Sequence, residues 1–69
     1  MSTNLQKLTT PLEILEAALE KEEDAYNFYG VLLGKTKVEM LQDVLETLRD
    51  EEYKHMDIIK KMIADIKFG

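Results

Sequence analysis

The sequence predicts an all-α protein: an antiparallel two-helix hairpin that pairs with a second copy of itself into a four-helix bundle. Three observations carry this. Apolar residues recur at helical spacing through two long segments, and the single proline and three glycines fall almost entirely at the ends of those segments. The chain has only 69 residues, 45% of them hydrophobic, so two long helices alone would leave much of their apolar faces in water. A chain this short buries only about 60% of the surface it exposes when unfolded. Such chains usually gain stability from a disulfide, a metal or a partner subunit. There is no cysteine, which excludes disulfides, thiolate zinc sites and iron–sulfur clusters. A metal or an oligomer remains.

The elements follow in order. Residues 1–9 are polar with two leucines and read as an N-terminal arm. In Thr10-Pro11-Leu12-Glu13, threonine with glutamate three residues later is a capping box, and proline at the first helical position has no amide to leave unpaired. Helix 1 is therefore expected over about 11–33. Gly34 suits a left-handed C-terminal cap. Thr36-Lys37-Val38-Glu39 repeats the capping signature, so helix 2 is expected over about 37–67 after a turn at 34–36. A connection that short makes the helices antiparallel neighbours. At about 1.5 Å per residue they are roughly 35 and 45 Å long. Residues 10–69 thus form one hairpin domain.

Fourteen acids against nine bases leave a net charge of −5, which argues against nucleic acid or an anionic membrane as partner. No apolar run approaches the roughly 20 residues of a membrane span. The first residues, MSTNLQKLTT, carry no signal-peptide core. The expectation is a soluble, cytoplasmic, self-associating protein.

The apolar pattern of helix 2 is broken at its centre. One seam reads Val38, Leu45, Glu52, Ile59, Ile66 and the other Leu41, Leu48, His55, Met62. Glu52 and His55 interrupt them one turn apart on one face. On helix 1, Glu22 interrupts a stripe of Leu15, Ala18, Leu19, Ala25, Tyr26, Tyr29, Leu32 and Leu33. In an antiparallel hairpin all three polar residues lie at similar depth. Burying a carboxylate without a partner is costly, and a divalent metal supplies one. Carboxylate oxygen and imidazole nitrogen suit iron, manganese or zinc. A two-fold axis turns two Glu and one His per chain into four Glu and two His, the donor set of a two-metal carboxylate site in a four-helix bundle.

The motifs around these residues carry a resemblance. Glu22-Glu23-Asp24-Ala25-Tyr26-Asn27-Phe28-Tyr29 resembles the E-x-x-A-x-x-[FW]-Y helix of the rubrerythrin and ferritin-like superfamily. Arg49-Asp50-Glu51-Glu52-Tyr53-Lys54-His55 resembles its E-E-x-x-H helix. The resemblance spans about residues 11–66. This sequence carries the motif pair once, as the encapsulated ferritins do, whose di-iron site forms between subunits. The resemblance implies a ferritin-like bundle and two iron ions per homodimer, or per pair within a higher oligomer. It implies Glu22, Glu52 and His55 as metal ligands and catalytic residues, with Glu52 bridging the ions. It further implies dioxygen or peroxide as oxidant, hence a ferroxidase or peroxidase-type oxidoreductase.

Other residues have two readings each. Glu51 lies off the seam, either solvated or a secondary site for incoming cations. Tyr26 and Tyr29, one and two turns from Glu22, either hydrogen-bond a ligand carboxylate or pack with satisfied hydroxyls. Met40, Met56 and Met62 read as core filler, and the acidic run Glu20 to Asp24 as a solvated face. Two rival readings stand beside the di-iron one. The first is a non-catalytic bundle stabilised by zinc or another redox-inert ion. The second is a structural dimer whose polar layer only sets register.

Overall fold

In a computed structural model of the chain, residues 10–69 are described. They form two helices, α1 over Pro11–Leu33 and α2 over Glu39–Phe68, packed against each other, with no strand among them. The proposed arm, residues 1–9, lies outside the described residues.

The start of α1 forms as its sequence requires. The Glu13 amide donates to the Thr10 hydroxyl oxygen at 3.1 Å, and the Thr10 amide donates to Glu13 Oε1 at 3.1 Å. Two otherwise unpaired donors are thereby satisfied. The same four-residue signature at Thr36 behaves differently. The Thr36 hydroxyl takes the amide of Val38, two residues on, at 3.1 Å, rather than that of Glu39. This local turn competes with capping, and α2 starts at Glu39 with Val38 as an N-cap lacking a side-chain bond. The connection is therefore residues 34–38, longer than the turn the sequence suggests. Gln42 spans it, its Nε2 donating to the Thr36 carbonyl at 3.0 Å. Gly34 also departs from expectation: its φ of −71° and ψ of −11° are right-handed, and its amide donates to the carbonyls of Gly30 and Val31. A five-residue connection reverses the chain without a left-handed step. At the far end Lys67 Nζ lies 4.0 Å from Glu16 Oε2, linking the helix ends remote from the turn.

The helices meet along a single strip. On α2 it comprises Gln42, Leu45, Arg49, Glu52, Met56, Ile59 and Ile63, spaced alternately three and four residues apart. Among the described residues only Met56 is buried, at 8% exposure. It lines a cleft with Tyr26 and Asn27 of α1, and its burial is that expected of core methionine. Met40 and Met62 are not buried: they stand 75% and 49% exposed, because a hairpin has nothing to cover the other side of α2. A second apolar strip there, Leu41, Val44, Leu48, Ile58, Met62 and Ile66, is open to solvent. The all-α expectation holds for the single chain; its pairing into a bundle is taken up below.

Candidate metal centre

The three polar residues that break the apolar pattern come together midway along the hairpin. Glu22 projects from α1, and Glu52 and His55 from successive turns of α2. One donor atom from each lies within 4.8 Å of the others. His55 Nδ1 is 3.6 Å from Glu22 Oε2 and 3.9 Å from Glu52 Oε1. The carboxylates are mostly covered, with side-chain exposures of 26% for Glu22 and 19% for Glu52, while the imidazole is 52% exposed. The group has a closed side against the helix interface and an open side at the uncovered strip of α2.

Its electrostatics follow from two acids facing one another. The Glu52 carboxyl is raised above its usual range, first by a hydrogen bond with the Glu22 carboxyl, then by burial and the Glu22 charge; His55 opposes the shift and Glu51 adds to it. Two carboxyls this close disfavour the second negative charge, which a cation would balance. A divalent ion there has two hard oxygens and one imidazole nitrogen within reach, a set that suits iron, manganese or zinc. Lysine does not take that place: among the described residues the ion pairs of Lys61 and Lys67 lie elsewhere, with Asp57 and Glu16.

The flanking residues sort unequally. Glu51 is exposed and reaches the group only through its charge. Tyr29 is half-buried and packs on Phe28, their ring centroids 5.8 Å apart. Tyr26, also half-buried, turns to α2, its ring 6.3 Å from that of Tyr53 and 5.7 Å from the Arg49 guanidinium carbon. Among the described residues no hydrogen bond joins Tyr26 or Tyr29 to Glu22 or Glu52; both rings make aromatic contacts. Sequence reasoning passed over Tyr53 and Arg49. Arg49 carried a signal, since it continues the alternating three-and-four spacing of Leu45, Glu52 and Met56. Its Nε is buried without a hydrogen-bond partner.

The described helices include none long and apolar enough to cross a membrane. No curated protein and no solved structure matches the chain. The family model of rubrerythrin does, over residues 13–69, which takes in Glu22, Glu52, His55 and nearly all of both helices. On that match the chain belongs to the rubrerythrin family.

Proposed function

We propose that the chain supplies half of a di-iron carboxylate centre, completed by a second copy, and that it acts as a ferroxidase or as a reductase of peroxide or dioxygen. The observation that carries this reading is the convergence of donor atoms of Glu22, Glu52 and His55 within 4.8 Å, beside which the Glu52 carboxyl is raised. Family membership supports the choice of iron.

Glu22, Glu52 and His55 would hold the metal. When bound, iron supplies the electrons: iron(II) is oxidised as dioxygen or peroxide is reduced. The chain's part is to make that change inexpensive. The Glu22 and Glu52 carboxylates balance the added charge of iron(III), and their partial burial strengthens that attraction over what water would allow. His55 contributes a neutral donor, so that a pair of chains brings four negative charges rather than six. The packed flank of α1 and α2, centred on Met56, shields the carboxylates from bulk water on one side.

The second copy belongs on the open side. Three donors are too few for a two-metal site, and His55 lies in the uncovered strip with Leu41, Leu48 and Met62, which are 49%, 36% and 49% exposed. A copy seated there would cover that strip and bring its own three donors to the same depth, two iron ions per pair. Higher assembly of such pairs is compatible with this reading, as is a cytoplasmic setting for a cysteine-free, iron(II)-handling chain.

Iron(II) titration of metal-free protein under air tests the proposal. The expected result is ferric absorption saturating at two irons per pair of chains, with mass in solution of at least a dimer. Binding of zinc and iron alike with no oxidation of iron(II) would favour the redox-inert stabilised bundle instead. No binding of either would leave the register-setting polar layer.

A further inference from the structure

Away from the uncovered strip, on the opposite flank of the centre, the structure holds a second redox-capable group. Tyr26 follows Glu22 by one turn of α1, and Tyr53 follows Glu52 directly on α2. Their ring centroids are 6.3 Å apart, with planes inclined at 49°. The pair grades from inside to outside: Tyr26 is half-buried, whereas Tyr53 is 60% exposed. It borders a shallow groove on the outer face, lined also by Asp50 and Lys54. The Arg49 guanidinium stacks on Tyr26, 5.7 Å from its ring centre. Oxidising a phenol to a radical cation beside a fixed positive charge is unfavourable. Loss of an electron from Tyr26 is therefore tied to loss of its phenolic proton.

We propose that Tyr26 and Tyr53 form a two-electron relay that joins the metal centre to the outer groove and serves a small phenolic or enediol one-electron donor. The proposal rests on the di-iron reading above. One peroxide molecule needs two electrons and two protons to become two waters. Where both irons are already iron(III), two phenols supply them: each O–H bond breaks, each tyrosine loses one electron and one proton to the peroxide oxygens, and two neutral phenoxyl radicals remain. Two molecules of donor, each giving up one electron and one proton at the exposed Tyr53, restore both phenols, Tyr53 passing one hydrogen equivalent on to Tyr26. Without a donor the two radicals are close enough to couple, and a carbon–carbon bond joins the rings as dityrosine. The second copy docks on the other side of α2, so the groove stays open in the pair.

The test uses a product written into the chain. Protein loaded with iron(II) and oxidised by air to iron(III), its iron content measured on the same sample, receives peroxide without donor and is then examined by electron paramagnetic resonance, dityrosine fluorescence and peptide mapping. The chain has three tyrosines and no tryptophan, so assignment is direct. The expected result is a phenoxyl signal and a Tyr26–Tyr53 cross-link, both suppressed by ascorbate. Tyr53→Phe should remove the cross-link and keep a Tyr26 radical, and Tyr29→Phe should change neither. Iron bound and peroxide consumed with Tyr26 and Tyr53 unmodified, or a radical that disappears in Tyr29→Phe, overturns the relay alone. Absence of bound iron overturns the metal reading and the relay with it.

Discussion

The two strips that carry the apolar residues of α2 have different fates. The inner strip, with Leu45, Met56, Ile59 and Ile63, meets α1 and contains the one buried residue among those described, Met56. The outer strip, with Leu41, Leu48, Met62 and Ile66, stays 36–49% exposed. Each carries a metal-competent side chain at mid-helix: Glu52 on the inner strip, His55 on the outer. The difference teaches where the centre lies. It sits at the border between what the chain covers by itself and what a second chain would cover. On the proposed reading the inner strip is a matter of folding and the outer one of assembly, and a cation held by Glu52 and His55 would tie the two together.

The largest effect should come from removing the inner donor. Glu52→Ala is expected to lower iron affinity by more than about 100-fold, beyond the 10–100-fold typical of losing a mere supporting group around a metal. Calorimetric titration with iron(II) under anaerobic conditions measures it. Metal-free stability should hold or rise, since a half-covered charge facing another acid is gone. A variant that binds iron as before would sever the link between the strips.

Next comes packing on the inner strip. Met56→Ala should cost about 2–5 kcal/mol of fold stability, the range for truncating a buried methionine. Helical circular dichroism should melt earlier with or without metal. On the outer strip, Leu48→Asp should weaken pairing by about 2 kcal/mol per copy, from lost apolar burial alone. Light scattering should then show single chains at concentrations where the parent is paired, with helicity little changed and iron per chain reduced. If Leu48→Asp instead unfolds the hairpin, or leaves its mass unaltered, the division between folding and assembly fails.

Much of this was legible in the residues because helical periodicity decides which side chains share a face. The convergence of Glu22, Glu52 and His55 needs only their spacing and an antiparallel turn. The box at Thr10 was legible because both of its bonds are local. The Thr36 signature misled for the same local reason: its hydroxyl had a nearer amide in Val38, and spacing does not say which amide wins. Seam positions could be identified as apolar, but the split into inner and outer strips depends on how far each helix is rotated toward the other. Tyr53 was out of reach on similar grounds. It lies beside the seam, and its approach to Tyr26 is set by helix rotation and side-chain torsions rather than by sequence interval.

The smallest effect concerns the raised Glu52 carboxyl. The Glu52 carboxyl is raised in the folded chain from an ordinary value of 4.5. The unfolded chain therefore releases this proton first as pH increases. Between the ordinary value and the raised one the native state binds more protons than the unfolded state, so stability falls with rising pH across that window. In a chelator, metal-free protein should melt lower at neutral pH than near pH 4.5, by an amount that Glu52→Gln removes. Bound metal reverses the slope, because the cation displaces the same proton and binds more tightly as pH rises. Melting curves across pH, with and without iron(II) under anaerobic conditions, measure both signs. A metal-free slope unchanged in Glu52→Gln would mean that the Glu52 carboxyl is not raised in the folded chain. An iron-loaded slope that does not reverse would mean that the cation binds somewhere other than the border of the two strips.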